Sequence, residues 1–329
     1  MHSKLKKFFI IYLIFKLLLI AAVVYSYHNT FYKTHVHQEK IAIIPKNYSI
    51  KQIAELLHKK EIIKSKFLFI LLSKAYSFKK EYLQSGEYKF EAGMKMIEVI
   101  HKLTRGEVII HKVTIPEGLT NSQVFKILNN SYGLSGGINK EKYKEGYLLP
   151  ETYSYKYGTK KESVLARMHS SMEKHLNLFI STSALPVPLK DINELLTLAS
   201  IVEKESGINA EKPLVAGVYL NRLKINMPLQ ADPTVIYGMT SGVEPFPKGL
   251  TYKDLESDSL YNTYKVKGLP PTPIANPGLR SIAAVLHPAN TKDLFFVADG
   301  LGGHKFSETY KEHLNNVKNF RTFIGQKPK

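Results

Sequence analysis

Residues 195–206 have the sequence LLTLASIVEKES, in which an apolar run changes abruptly to charged residues. Apolar side chains recur at 195, 198, 199 and 202, which is the spacing of one face of a helix. We therefore predict a helix over residues 192–205 that packs into a core. Glu205 occupies the next position on the apolar face, and Gly207 follows where a left-handed residue is expected to end the helix.

Glu205 is the first candidate for chemistry. A carboxyl on an apolar face loses hydration, and the negative end of the helix dipole also disfavours its charge, so its pKa should rise. A carboxyl that keeps its proton near neutral pH suits a general acid. Glu203 lies roughly 200° round the helix from Glu205 and should not share its site. Position alone leaves open that Glu205 instead forms a buried ion pair with a loop Arg or Lys.

The composition narrows the class of protein. The 329 residues include 46 Lys and Arg against 28 Asp and Glu, a formal net charge of +18, and no Cys. Disulfide scaffolds, thiol nucleophiles and Cys-ligated zinc are therefore excluded. The basic charge favours an anionic partner, such as nucleic acid, an anionic membrane surface or an acidic wall polymer. No Arg run with interleaved aromatics occurs, which disfavours nucleic acid.

An apolar stretch over residues 8–25, interrupted only by Lys16, follows Lys4, Lys6 and Lys7. At about 1.5 Å per residue it covers roughly 27 Å, close to the thickness of a bilayer core. We predict a cytoplasmic N-terminus and a single transmembrane anchor within residues 1–27, with the rest of the chain outside the cytoplasmic (inner) membrane, in the periplasm where there is one. A cleaved signal peptide is the alternative, but the stretch is long for one and no A-x-A site follows.

Residues 28–40 are polar and aperiodic, and we interpret them as a linker. Over 41–107 the patterns predict a strand, two helices, a second strand and a third helix, the first helix starting at a capping box of Ser49 and Gln52. This small β-α-α-β unit resembles a LysM-like module, and LysM modules bind glycans. A plain spacer that sets the reach above the membrane is equally compatible with the pattern.

Residues 108–329 are predicted to form a second, mixed α+β domain, which makes the whole chain α+β. A strand is expected over 108–116, a capping box at Thr120 and Gln123, an aromatic, turn-rich segment over 146–155, and a long helix over 160–182. Ten of the 16 prolines fall between Pro213 and Pro288. Proline restricts the backbone, so the loops of this segment should be rigid. Rigid loops suggest a shaped, loop-rich groove.

Several long motifs resemble the MltG (YceG-like) family of endolytic murein transglycosylases. They are LASIVEKES (198–206), VYLNRL (218–223), MPLQADPTVIYG (227–238), YNTY (261–264), GLPP (268–271), PIANPG (273–278), HPA (287–289) and FVADG (296–300) with Gly303, His304 and Phe306. The resemblance implies a single-span inner-membrane enzyme that cuts nascent peptidoglycan strands internally and needs no cofactor or metal. It implies peptidoglycan synthases of an elongation or division complex as partners, and Glu205 as the catalytic residue.

One carboxyl suffices for the reaction that the resemblance implies. Glu205 would protonate the oxygen between N-acetylmuramic acid (MurNAc) and N-acetylglucosamine (GlcNAc). It would then take the proton of the muramyl C6 hydroxyl as that group closes on C1, leaving a 1,6-anhydromuramyl end. Ordinary glycosidases use two carboxylates. Two alternatives remain open, namely a hydrolase and a non-catalytic scaffold that binds wall strands.

Other polar and aromatic side chains of these segments are predicted to bind the glycan: Glu151, Ser206, Asn221, Arg222, Gln230, Asp232, Thr234, Tyr237, Tyr261, Asn262, Tyr264, Asn276 and His304. Structural roles compete with this interpretation. An ion pair with an acidic neighbour is an equal alternative for Arg222, and Asp232 before Pro233 has the pattern of a helix N-cap. Glu151 is the best candidate for a second acid in the groove. His287 and His304 lack the spacing of a helical metal pair.

Overall fold

A computed structural model of the chain describes residues 2–31, 36–78, 82–243 and 249–325. The chain divides into two compact units, one made of the residues up to His111 with 156–158, and the other of 112–155 with the residues from Thr159 onward. The described residues form helices and three two-stranded sheets. This confirms the predicted mixed α+β class.

The N-terminal helix α1 covers His2–Phe31. Its stretch Lys7–Tyr25 is long and apolar enough to cross a membrane, with a mean hydropathy of 2.6, and its side chains are exposed. This agrees with the predicted span. The helix continues to Phe31, however, so the first residues of the predicted aperiodic linker are helical. Residues 32–35 of that linker lie outside the described residues.

After the linker, the first unit folds around its own core. Strand β1 (Lys40–Ile44) pairs antiparallel with β2 (Gly86–Phe90), with Lys40 opposite Phe90. Between the strands come α2 (Ile50–Lys59), which begins at the predicted capping box, and α3 (Lys66–Phe78). Helix α4 (Met96–Arg105) follows, and all these elements bury apolar side chains in one cluster. The predicted order of elements is present, and the likeness to LysM stays a prediction.

The next part of the chain, most of which belongs to the second unit, is a small α+β region. Strand β3 (Ile110–Thr114) pairs with β4 (Thr152–Lys156), and α5 (Asn121–Asn130) starts at the predicted capping box of Thr120 and Gln123. Helix α6 (Lys161–Thr182) confirms the long helix predicted over 160–182. Strand β3 is shorter than the stretch predicted over 108–116.

The remainder of the second unit packs around α7 (Ile192–Glu205), which contacts all three of α8 (Lys212–Lys224), α9 (Asp232–Thr240) and α10 (Leu279–Leu286). A hairpin of β5 (Phe295–Ala298) and β6 (His304–Ser307) and helix α11 (Tyr310–Gly325) complete it. Every residue of α7 from Leu195 to Val202 is buried, so the helix is enclosed on all sides rather than on one face.

A buried ion pair joins α7 to its neighbours. Lys212 Nζ lies 2.9 Å from Glu203 Oε1, and the two side chains are only 2% and 8% exposed. The other carboxylate oxygen of Glu203 accepts hydrogen bonds from Gly278 N at 2.9 Å and Ser281 Oγ at 2.6 Å. Glu203 thus connects the last turn of α7 to the start of α8 and of α10. The buried pair that the sequence left open for Glu205 is formed by Glu203 instead.

This arrangement predicts that Glu203→Gln lowers the free energy of unfolding by about 3–5 kcal/mol, because the Lys212 ammonium would stay buried without a counter-charge. Urea denaturation of the wild type and the variant measures the difference. In the double variant Glu203→Gln/Lys212→Met most of the stability should return, since neither charge is then buried. A single variant as stable as the wild type would contradict the role of the pair. Because Glu203 should not share the site of Glu205, the folded fraction of the single variant should still cleave.

Candidate active site

Glu205 is the last residue of α7 and is partly exposed, in contrast to the buried residues that precede it. The helix ends because Ser206 adopts an extended conformation, with φ −127° and ψ 123°. Its Oγ accepts a hydrogen bond from Ile208 N at 3.1 Å, which satisfies a backbone donor of the following turn. The expectation of a left-handed Gly207 is wrong, since its φ lies outside that region.

The Tyr219 hydroxyl of α8 donates a hydrogen bond to Glu205 Oε1 at 2.9 Å. Tyr219 is only 1% exposed. Burial raises the pKa of Glu205 to about 7, and the bond from Tyr219 offsets part of this rise because it favours the carboxylate. The direction and the main cause agree with the sequence prediction. The group can therefore hold or release a proton near neutral pH.

Charged groups from three other elements act on the same carboxyl. Asp232 at the start of α9 raises the pKa of Glu205 further, while His304 of β6 and Arg222 of α8 lower it. Tyr264 donates to Asp232 Oδ1 at 2.6 Å. The N-cap interpretation of Asp232 is wrong, because α9 begins at Asp232 and its N-cap residue is Ala231. The Asp232 side chain is exposed instead of folding back onto the helix.

The turn before α9 is held by several hydrogen bonds. Arg222 donates from Nη1 to Leu229 O at 2.6 Å, and Gln230 N donates to Thr263 O at 3.0 Å. Gln230 has a φ of +51° and its side chain is exposed. Side chains other than Gly rarely adopt this conformation, and such strained residues cluster at functional sites. Gln230 therefore remains a candidate contact for substrate next to Asp232.

The β5–β6 hairpin contacts the same region through His304. The Glu211 carboxylate, just before α8, accepts from His304 N at 3.0 Å and lies 2.7 Å from His304 Nδ1. The Phe296 ring meets both Tyr219 and His304 edge-on, with ring centroids 5.8 and 5.4 Å apart. These contacts hold His304 close to Glu205.

Five residues predicted to bind glycan are interior residues in the structure. Thr234, Asn262 and Asn276 have no exposed surface, and Ser206 and Arg222 are 2% and 7% exposed. Because these side chains bond to the protein itself, we correct their assignment from substrate contacts to structural roles. The alternative prediction, that Arg222 pairs with an acidic side chain, is also corrected. Its Nε donates instead to the backbone carbonyl of Leu294 at 2.6 Å.

Buried amides stabilise the irregular segments around the site. Asn276 Nδ2 donates to Leu119 O at 3.0 Å and to Asn121 Oδ1 at 2.9 Å, and its Oδ1 accepts from Leu148 N at 2.9 Å. Asn262 Nδ2 donates to two backbone carbonyls at 2.8 Å, and Thr234 Oγ1 donates to Ala231 O. Asn221, which is partly exposed, donates a hydrogen bond from Nδ2 to Thr291 O at 2.7 Å. Backbone groups that lack helix or sheet partners are satisfied in this way.

Glu145, a partly exposed carboxyl whose pKa is also raised, was missed in the sequence. Its Oε1 accepts from Asn121 N at 2.8 Å, and burial raises its pKa to about 7. Tyr237, whose ring centroid lies 4.9 Å from that of Tyr261, donates to Glu145 Oε2 at 3.4 Å. Glu151, the predicted second acid, is exposed at the residue before β4. Glu145 directly precedes the turn-rich segment 146–155, which contains Glu151. Its position next to that segment could have identified it as a candidate.

Within the described ranges, no three His, Asp or Glu side chains are placed to share a metal ion. The residues that the structure brings together around the end of α7 include Glu205, Tyr219, Glu211 and His304. Two of them, Tyr219 and Glu211, were not among the sequence candidates, although Tyr219 belongs to the quoted motif VYLNRL.

Known proteins are similar to this chain in sequence and in fold. The YceG-like family matches residues 42–319. A Bacillus subtilis protein named endolytic murein transglycosylase is 33% identical over 82% of this chain and 81% of its own length. A Streptococcus pneumoniae protein of that name is 28% identical over 96% of this chain, which spans 65% of that relative. The crystal structure of a YceG-like protein from Listeria monocytogenes, 29% identical, superposes with a TM-score of 0.55 over 84% of this chain and 98% of that one. The resemblance drawn from the motifs is confirmed, and the chain belongs to the YceG-like family.

Proposed function

We propose that this chain is a peptidoglycan lytic transglycosylase that cuts glycan strands internally, with Glu205 as its general acid and then its base. Relatives named endolytic murein transglycosylases support the reaction class. The observation that carries the assignment of the residue is the Glu205 carboxyl, which is partly exposed at the end of a buried helix with its pKa raised to about 7.

In the first step, the Glu205 proton passes to the oxygen that joins MurNAc C1 to the next GlcNAc, and the C1–O bond breaks. In the second step, the muramyl C6 oxygen bonds to C1 while its proton passes to the Glu205 carboxylate. The products are a GlcNAc with a free hydroxyl and a 1,6-anhydromuramyl end. No water is consumed, and Glu205 ends as it began.

The contacts of Glu205 fit this double role. Because Tyr219 donates to Oε1, the carboxyl is held in one orientation and Oε2 is the oxygen available for the proton transfer. A pKa near the working pH favours both directions of transfer, since the acid and its conjugate base are then both accessible. Tyr219 is itself buried, so it can hold the carboxyl without competing for the substrate proton.

The variant Glu205→Gln should lose cleavage by about 10³- to 10⁴-fold, because an amide keeps the shape of the acid but cannot donate and recover a proton. Purified sacculi are incubated with each protein and the products are analysed by mass spectrometry. The wild type should release ends lighter by one water than hydrolysis products. Glu173→Gln, the same change at an exposed carboxylate of α6, is the matched control and should cleave normally.

Reducing ends from the wild type would identify a hydrolase, and no cleavage at all would favour a scaffold. Anhydromuramyl ends from Glu205→Gln would move the role to another carboxyl, with Glu145 and Glu151 the next to test.

The Glu205→Gln variant should also fold, since its amide oxygen still accepts a hydrogen bond from Tyr219. The folded state retains the Glu205 proton up to about pH 7, so wild-type stability falls as the pH rises from about 5 to 7. The Gln variant lacks this loss and should gain stability relative to the wild type over that range.

We also propose that the chain is a single-pass protein of the cytoplasmic membrane, with its N-terminus in the cytoplasm and residues 28–329 outside. The apolar stretch Lys7–Tyr25 and the lysines before it support this topology. Peptidoglycan strands, and the synthases that extend them, lie on that side of the membrane.

A reporter that is active only in the cytoplasm tests the orientation. Fused after Lys329, it should be silent, and the same reporter fused before the N-terminus should be active and serves as the control. A C-terminal fusion that is active would contradict the proposed orientation.

The module over residues 41–107 is proposed to assist strand capture or reach without taking part in the chemistry. Its separate core supports this, since its buried residues pack within the first unit. A chain of residues 108–329 should still cleave concentrated soluble strands but should lose efficiency on sacculi. The rates on the two substrates are compared after circular dichroism has shown that the shortened chain is folded. Complete loss of activity in a folded chain would mean that the module completes the active site.

A further inference from the structure

Helix α3 of the first unit turns an apolar face to solvent. Phe67 and Leu71, one helical turn apart, are 73% and 53% exposed, and Ala75 continues the same exposed face one turn later. Ile70 borders this face and is partly exposed. The opposite side of the helix is buried in the unit through Phe69. We call the surface of Phe67, Ile70, Leu71 and Ala75 the α3 face.

The α3 face differs from the usual surface of a helix in a soluble protein. Such helices bury an apolar stripe and turn charged or polar side chains outward. The neighbouring helix α2 follows this rule, because the side chains that it exposes are Lys51, Gln52, Glu55, His58 and Lys59. The α3 face is therefore a local exception and needs a partner with apolar groups.

Lysines surround the α3 face. Residues 59–80 contain seven Lys against a single acidic residue, Glu61, which pairs with Lys40 at 2.6 Å. Lys64, just before α3, and Lys74, beside Leu71 on the helix, are both exposed. Apolar side chains ringed by ammonium groups are typical of helices that lie in the headgroup region of a membrane. The partner should thus carry negative charge as well as apolar groups.

The chain keeps the first unit close to the bilayer. The apolar stretch of α1 ends at Tyr25, and only ten residues separate it from Val36, which belongs to the core of the unit and accepts a hydrogen bond from Gly93 N at 2.7 Å. Six of the ten continue α1 and rise about 9 Å. The rest add at most roughly 18 Å. In addition, α1 contacts α4, and α4 contacts α3.

A glycan strand is the other ligand to consider, because an exposed Phe ring can stack on a sugar. The side chains around Phe67 do not suit a glycan. Ile70, Leu71 and Ala75 carry no hydrogen-bonding group, so the hydroxyls and amides of a strand would lose water there without gaining a partner. Acyl chains have no such groups to satisfy, which favours lipid over glycan.

We propose that the α3 face docks the first unit onto the anionic surface of the membrane, with Phe67 and Leu71 in the lipid and Lys64 and Lys74 among the headgroups. This rests on the membrane topology proposed above. The first unit then has a second attachment to the bilayer besides α1. It meets glycan strands close to the membrane and does not act as an extended spacer.

The test uses the absence of Cys from the chain, since a single introduced Cys carries a fluorophore at one known site. Ala75→Cys places the probe on the α3 face and leaves Phe67 and Leu71 intact. The full chain is reconstituted through α1 into phosphatidylcholine nanodiscs, with or without phosphatidylglycerol, and quenching by brominated lipid is measured. We expect quenching in the anionic discs, and less of it in neutral discs or at high salt. Lys51→Cys, on the exposed face of α2, is the matched control and should stay unquenched.

Two sets of substitutions separate the apolar and the charged contributions. With the probe at position 75, Phe67→Gln/Leu71→Gln should lower the ratio of docked to undocked chains about 10-fold, because two apolar side chains no longer enter the lipid. Both side chains are exposed, so the circular dichroism spectrum should be unchanged. Lys64→Gln/Lys74→Gln should reduce quenching in anionic discs only. Leu178→Gln/Ile180→Gln, the same change at exposed positions of α6, is the control and should leave quenching unchanged.

A probe at position 75 that is unquenched in anionic discs, or quenched no more than the probe at position 51, would overturn the docking. Shielding of the probe by added glycan strands instead of lipid would make the α3 face a glycan site. Shielding that grows with protein concentration would make it a contact between copies, and either result overturns the proposal. Failure of the proposed anchor is distinct, because the chain would then not enter the discs. Failure of the proposed reaction would appear only in the cleavage products.

Discussion

The burial of α7 on every side constrains the rest of the second unit. A helix with no solvent-facing side between its first and last turns must satisfy each polar side chain buried there. Thr197 donates to Asn193 O within the helix, and Ser200 Oγ donates to Thr197 O and accepts from Ile274 N. Three other helices enclose it, so the place where α7 emerges is also the place where their ends converge. The position of Glu205 follows from this geometry.

Loops complete the surroundings of that point, and buried polar side chains hold them in place. Prolines between residues 213 and 288 remove backbone donors and prevent regular ladders, and the freed carbonyls need other partners. The Asn262 amide donates to Leu255 O and Ser257 O, and the Arg222 guanidinium donates to Leu229 O. Irregular backbone is stabilised at low cost in this way, because an amide or guanidinium reaches several carbonyls at once.

Local patterns in the sequence predicted the helices well, because apolar spacing and capping boxes act over a few residues. The bounds of α6 and α7, both capping boxes and the raised pKa of Glu205 follow from such local rules. Long-range contacts were out of reach. Nothing in the spacing shows that Lys212 pairs with Glu203, that Tyr264 meets Asp232 across 32 residues, or that Asn276 turns inward. An Asn or Arg in a polar motif has the same appearance whether it contacts a sugar or a carbonyl.

The two glutamates of the segment Glu203-Lys204-Glu205 lie two positions apart and have different roles, one in folding and one in the proposed chemistry. The first joins three helices through its ion pair and hydrogen bonds, and the second, the proposed proton carrier, has its hydrogen bond from Tyr219. Selection on the wall-cutting reaction could therefore relax without loss of the fold. A descendant that kept the first glutamate and exchanged the second would persist as a folded pseudoenzyme, free to retain its hold on glycan strands as a regulatory or tethering protein.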